Sequence, residues 1–378
     1  MKKILKKIGT AIVFIILFIA AAAGGLLLSL TLFSGFFNPL EVAIGIAGIL
    51  VLFYISIIVH EAGHLALGLM SGYTFSSFRI GSLMWIKQDG KIKLRRLSIA
   101  GTGGQCLMTP PEAKNGNIPV VLYNLGGVIA NIILAAIFAL CYYFSLKILI
   151  LALIFLFGAI ISFIIALTNG LPLDVGGIPN DGMNVVHLLR DKTAAIAFRN
   201  QLLMNAAQAR GVGLSDMPDE WFTLPENANM QNVHCASIAV FAASRNMEKM
   251  DFSASQKEIN SLVNSGCNMA QIHRNLLKCD LIYCRLMTDG DRAEISSLLT
   301  IEQQKFMKSM KSFPSILRTE YAVAVIRDKN VETAEKIKQN FEKTAKSHPY
   351  PQDIEQERRY MEYAENMAKA LAKEVEND

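Results

Sequence analysis

The pentapeptide His60-Glu61-Ala62-Gly63-His64 places two imidazoles four residues apart, with a carboxylate beside the first. On a helix, positions i and i+4 share a face. Both imidazoles can then bind one Zn²⁺ while Glu61 reaches a metal-bound water as general base. Zinc would bring the pKa of that water toward about 7 and so make hydroxide available at neutral pH. In a chain this long such a pattern arises by chance on the order of one time in a hundred, so its surroundings decide its weight. It lies within the apolar stretch Ile55–Met70. Two histidines and a glutamate in such a stretch are costly unless they bind something, face water or pair with one another. The plainer alternative is a helix end where these groups touch interfacial water.

A zinc site also needs a third protein ligand and one open position. The candidates are Asp174 and Asp181, both downstream of Asn169 and Pro172. Physical reasoning alone does not choose between them. Asp181-Gly182 precedes a helical pattern through Arg190 and can stand at a helix start; Asp174 can be a solvated turn residue. A further polar intrusion, Asn131, follows Gly126-Gly127 in another apolar stretch. An amide in a membrane helix needs partners. It can serve helix packing, or it can meet substrate backbone or a developing oxyanion.

Four stretches are long and apolar enough to hold these groups in a membrane: Ala11–Phe33, Glu41–Met70, Ile118–Phe144 and Ile148–Thr168. The first outlasts the h-region of a cleaved signal peptide and is expected to remain as a helix. Hydrophobic residues make up 52% of the chain, too many for an ordinary soluble enzyme of this size, and they are concentrated before residue 168. Basic residues cluster before the first stretch, between the second and third, and after the fourth. The positive-inside rule then predicts a multi-pass cell-membrane protein with both termini cytoplasmic. The net charge of +5 is juxtamembrane and needs no nucleic-acid partner. The six cysteines form no CxxC pair and are expected to be free thiols.

Between the second and third stretches, alternating residues around Asp89-Gly90 predict a β-hairpin, to which Phe75–Ile80 can add a strand. Gly101, Gly103 and Gly104 are expected to form turns. From residue 191 the pattern is helical. Ser237–Val263, Cys279–Leu299 and Glu320–Phe341 each read as two helices around a short turn, about forty residues apart. The fold expected is an all-α polytopic membrane protein of about four spans with a small cytoplasmic β-hairpin, plus a cytoplasmic all-α helical-hairpin domain. Its parts are an N-terminal helix (1–40), a membrane core (41–190, with the hairpin loop at 73–110) and a helical domain (191–378), tetratricopeptide-like or an irregular helical bundle.

Taken together, His60–His64 in a membrane helix, Gly126–Asn131 in the next, and Asn169-x-x-Pro172 followed by Asp181-Gly182 resemble the motifs of the site-2 protease family of intramembrane zinc metalloproteases. Val128 stands where that family usually has proline, and the aspartate follows Pro172 later than in its commonest form. The resemblance spans about residues 41–190. It implies a three-helix catalytic core and a membrane-associated hairpin at Phe75–Leu97. It implies Zn²⁺ held by His60, His64 and Asp181, with Glu61 as general base and Asn131 and Asn169 toward the substrate. The expected substrate is a membrane protein or membrane peptide in the lipid bilayer: a tethered regulator, a signal-peptide remnant or a peptide precursor. Residues 191–378 can dock a cytoplasmic protein partner. The competing readings are a non-catalytic membrane scaffold and an ion pathway using the intramembrane histidines.

Overall fold

A computed structural model describes residues 38–88, 90–97, 102–113, 118–267, 269–288, 292–311 and 313–377. The expected first span, Ala11–Phe33, and the turn residue Asp89 lie outside them. Among the described residues three helices are long and apolar enough to cross a membrane: α1 (Pro39–Met70), α2 (Val120–Phe144) and α3 (Leu149–Gly170). Their outward residues include Leu50, Val51, Ile133, Leu140 and Phe163. Such a density of exposed apolar side chains suits hydrocarbon rather than water. A reciprocal capping box starts α1. Glu41 N–H donates to the Asn38 side chain at 3.0 Å, and Asn38 N–H donates to the Glu41 carboxylate at 2.9 Å.

The chain divides into two bodies, residues 1–60 with 128–168, and residues 61–127 with 169–378. The boundary runs through α1 and α2 themselves. In the first body, Leu52, Leu134, Phe138 and Ile154 form an apolar core. Beside apolar packing stands a polar node. Asn131, fully buried, donates through Nδ2 to the Ser56 carbonyl and to Ser162 Oγ, both at 3.1 Å, and Ser162 Oγ donates to the Asn131 carbonyl at 3.0 Å. In hydrocarbon, helix association gains little from apolar contact alone, and such bonds fix which faces meet.

In the second body the loop after α1 holds four strands rather than a hairpin with one addition: β1 (Thr74–Ile80), β2 (Leu83–Gln88), β3 (Lys91–Arg96) and β4 (Gly104–Thr109). They form one antiparallel sheet in the order β3-β2-β1-β4. The extra strand is β4, in a segment whose glycines read as turn formers. It forms because β1 supplies the ladder, with Phe78 opposite Cys106 and Ile80 opposite Gly104. Strand β4 also has an apolar bed. Cys106 and Met108 are buried with Ala194, Ala197 and Met204 of a later helix, α5 (Lys192–Ala209).

Between α3 and α5 the chain makes a two-stranded hairpin, β5 (Asp174–Val175) and β6 (Ile178–Pro179), and a ten-residue helix, α4 (Asp181–Arg190). Its turn is Gly176-Gly177, both at positive φ, as a two-residue primed turn requires. Beyond α5 the chain is helical: α6 (Val233–Glu248), α7 (Phe252–Asn264), α8 (Gln271–Thr288), α9 (Arg292–Leu298), α10 (Ile301–Ser309), α11 (Pro314–Ala322), α12 (Val331–Ala345) and α13 (Pro351–Asn377). Asp251 and Asn330 cap α7 and α12. A buried Arg318 ties three helices together. It bonds Asp280 at 2.6 Å and Glu357 at 2.9 Å, and its guanidinium lies 4.5 Å from the centre of the Tyr283 ring. A guanidinium this deeply buried is tolerable only with such pairing.

Candidate metal centre

The two histidines of the pentapeptide stand one turn apart on α1, where the helical repeat aligns them. Asp181 opens α4. One ligand atom from each of His60, His64 and Asp181 lies within 4.8 Å of the others, and both histidines are buried. His64 Nε2 is 3.4 Å from Asp181 Oδ2. Donors at zinc-ligand distance on a tetrahedron stand about 3.4 Å apart, so this pair already has the spacing of two ligands on one ion. The donor set of two imidazoles and a carboxylate suits zinc.

His64 is held from behind. Its Nδ1 lies 2.8 Å from the Tyr123 carbonyl at the start of α2. That bond places the ring proton on Nδ1 and leaves Nε2 as the lone-pair donor. Tyr123 in turn donates its hydroxyl to the Cys106 carbonyl on β4, at 2.8 Å, and stacks on Tyr73 with ring centres 4.7 Å apart. A chain of bonds thus runs from the sheet through α2 to His64.

Two glycines make the close approaches possible. A Cβ on Gly126 would stand 2.4 Å from the Gly63 carbonyl oxygen and 2.8 Å from the His64 Cα. So Gly126 and Gly63 are the crossing point of α2 on the turn of α1 that carries His60 and His64. A Cβ on Gly182 would stand 2.1 Å from the Gly170 carbonyl oxygen. The Asp-Gly pair therefore carries its glycine because the first turn of α4 presses on the end of α3. Asn180 completes the placement of Asp181. Its side chain caps α4 by accepting from Met183 N–H at 2.9 Å, accepts from Leu173 N–H at 3.1 Å and donates to the Leu171 carbonyl.

Of the two candidate aspartates, Asp181 reaches His64. Asp174 accepts the Gly177 N–H at 2.8 Å and so braces the β5–β6 turn. Asn131 stands in the packing node described above. Asn169 ends α3 and lies next to Gly170, against which α4 packs. Glu61 is buried, and the backbone of Gly104 closes on it: a Cβ there would meet the Glu61 carboxylate at 2.6 Å. The sequence reading did not place Tyr123 or Asn180 at the site, and it read Gly104 only as a turn former. Asn180 had a signal, since Asn directly before an acidic first turn is a preferred cap. Tyr123 had none, because it acts through its backbone carbonyl.

His187, half-buried, and His234, buried, form a second imidazole pair, edge to face at 6.2 Å. Burial first, and His187 second, hold His234 down at about 4, so it stays neutral. The two rings link α4 to α6 and, among the described residues, join no metal-ligating group.

No curated protein and no solved structure matches the chain significantly. The model of peptidase family M50 matches residues 48–347, which include the pentapeptide, the sheet, Asp181 and most of the helical half. With apolar helices fit to span a bilayer and a His-His-Asp group fit to hold a metal, the chain belongs to peptidase family M50, the site-2 protease family of membrane metalloproteases.

Proposed function

We propose that this protein hydrolyses peptide bonds of membrane-embedded substrates, as a site-2-protease-type enzyme with His60, His64 and Asp181 as its zinc ligands. The observation that carries this is the convergence of those three ligand atoms one helical turn around Glu61. Zinc bound there would supply a Lewis acid for the scissile carbonyl and lower the pKa of a water. Glu61 accepts a proton from the attacking water and returns it to the leaving amine nitrogen. Its burial beside Gly104 keeps bulk water from competing for that proton.

The substrate helix must unwind before attack, because its own hydrogen bonds shield the peptide bond. Strand β4 supports a way to hold it. It is an end strand of the sheet, and its first residue is the one that touches Glu61. An unwound segment added along β4 would bring its backbone to the general base. Asn169 stands on the same side of this reading, at the end of α3. Asn131 has both amide hydrogens committed to Ser56 and Ser162, so only its Oδ1 remains to accept from a substrate N–H. In this reading the termini are cytoplasmic, and residues 191–378 offer a face for a cytoplasmic partner.

Glu61→Gln tests the proposal. Membrane proteomes with mapped new N-termini are compared between cells carrying wild type and variant. A membrane protein should accumulate intact with Glu61→Gln, its fragment appearing only with wild type, while zinc per chain stays unchanged. Equal cleavage by both forms removes Glu61 from the mechanism.

A further inference from the structure

Away from the metal centre, one cleft in the second body gathers cations. Its volume is about 590 Å³, and it opens between the end of the β2–β3 hairpin and helices α11 and α12. Arg96 enters it from β3, Lys311 from the turn before α11 and Lys343 from α12; Asn340, Thr344 and Ser347 add neutral hydrogen-bonding groups. Among the described residues no aspartate or glutamate lines it. A cleft with three permanent cations and no carboxylate is built for an anion.

The neighbouring surface says what kind of anion. Arg96 pairs with Leu83 across the hairpin, Leu94 with Trp85 and Ile92 with Lys87. Cross-strand partners share a face. So Arg96 ends a face that also carries Leu83, Trp85, Leu94 and Ile92, all exposed, from 37% for Trp85 to 63% for Ile92. Four large apolar residues side by side are a poor surface for water and a good one for acyl chains, and tryptophan favours the bilayer interface. A ligand that offers an anion to the cleft and hydrocarbon to the adjoining face is a phospholipid. A single phosphodiester balances only one of the three cations, so the surplus charge selects a lipid with net negative charge over a zwitterionic one.

We propose that this cleft binds the phosphate headgroup of an anionic membrane phospholipid, with the apolar face of the β2–β3 hairpin against its acyl chains. The site is separate from the proposed hydrolysis and stands or falls without it.

The test is native mass spectrometry of the full chain in an uncharged detergent, titrated with phosphatidylglycerol or phosphatidylcholine. Wild type should bind phosphatidylglycerol at least about tenfold tighter, since each cation near a phosphate contributes several-fold. Arg96→Gln/Lys311→Gln/Lys343→Gln should erase that preference, and Arg96→Gln alone, at an exposed strand position, should reduce it. Lys336→Gln/Lys338→Gln/Lys369→Gln removes three exposed cations elsewhere and should leave it intact. The proposal is overturned if the cleft triple variant keeps the preference, or if the control triple variant loses it equally. Displacement of phosphatidylglycerol from wild type by millimolar inorganic phosphate would assign the cleft to a soluble phosphate and overturn the lipid.

Discussion

Two sets of polar groups meet on α1, one at Ser56 and one at His60 and His64, and they are built on opposite logic. In the node of Ser56, Asn131 and Ser162, every contact pairs a donor with an acceptor. Such a set is neutral and satisfies every donor, leaving one acceptor, Asn131 Oδ1, open, and it serves to fix helix faces. At His60, His64 and Asp181 each converging atom is one that can offer a lone pair to a metal. Lone pairs brought this close repel one another unless a cation or a proton stands among them. The Tyr123 carbonyl beside His64 Nδ1 reserves Nε2 for that purpose. Polar residues in a membrane helix therefore announce a functional site when acceptors meet acceptors, and a packing site when donors meet acceptors.

The widest separation between the two sets should appear in a pair of substitutions. Asp181→Asn removes the charge of the proposed third ligand, and zinc per chain should fall well below one. Cleavage of a membrane substrate should fall on the order of a thousandfold or more. Asn131→Ala should leave zinc and the catalytic pH profile unchanged while lowering unfolding stability by about 1–2 kcal/mol, the usual cost of a buried hydrogen bond left unmade. Metal analysis and unfolding of both purified variants decide it. Zinc loss in Asn131→Ala would merge the two sets into one. A smaller effect is expected at the crossing. Gly126→Ala forces a Cβ onto the Gly63 carbonyl, which should cost about 1–3 kcal/mol as overpacking. It should also weaken zinc about 10–100-fold by displacing His64, as loss of supporting contacts to a ligand typically does. Wild-type zinc affinity in Gly126→Ala would show that the crossing does not position the ligand.

What the sequence revealed of this arrangement divides along the same line. The pentapeptide was legible because one helix carries both histidines at a fixed offset, so local periodicity sets their geometry. The three described spans were legible because twenty apolar residues admit few alternatives. The choice between Asp174 and Asp181 was left open by the residues themselves and leaned to Asp181 only through the resemblance, because it depends on how the β5–β6 turn folds back. The bonds from Asn180 to Leu171 and Leu173 settle that turn, and they are tertiary facts. Strand β4 was missed for a related reason. Its glycines favour turns locally, and only the ladder with β1 and the bed on α5 make it a strand. Residues 1–37, with the expected first span, lie outside the described residues. The contact of Gly104 with Glu61 follows from β4, so a residue beside the proposed general base became visible only with the sheet.

The helical half supplies a third arrangement, which tests whether crowded acceptors alone are enough to mark a metal site. Asp353 sits near Glu357 and Glu248, and among the described residues these three do not form a metal-ligating group. Here the conflict is resolved by other means. Arg318 pairs with Glu357, and burial, followed by the two neighbouring carboxylates, raises Asp353 to about 7. A proton takes the place a cation would hold. The sign of the pH dependence follows. Well below pH 4, Asp353 is protonated in both folded and unfolded chains and adds nothing. Between about pH 4 and pH 7 the unfolded chain ionises it while the folded chain keeps the proton, so the fold loses stability as pH rises. Above about pH 7 both are ionised and the loss is constant. Asp353→Asn removes this liability. Its stability relative to wild type should grow from near zero well below pH 4 to at most about 4 kcal/mol at pH 8, three units at about 1.4 kcal/mol each. Unfolding of both forms across that range measures the gap. A gap that does not change with pH would mean that Asp353 is ionised in the folded chain. It would then need a cation of its own, and proximity of carboxylates would again have to be read as a sign of metal.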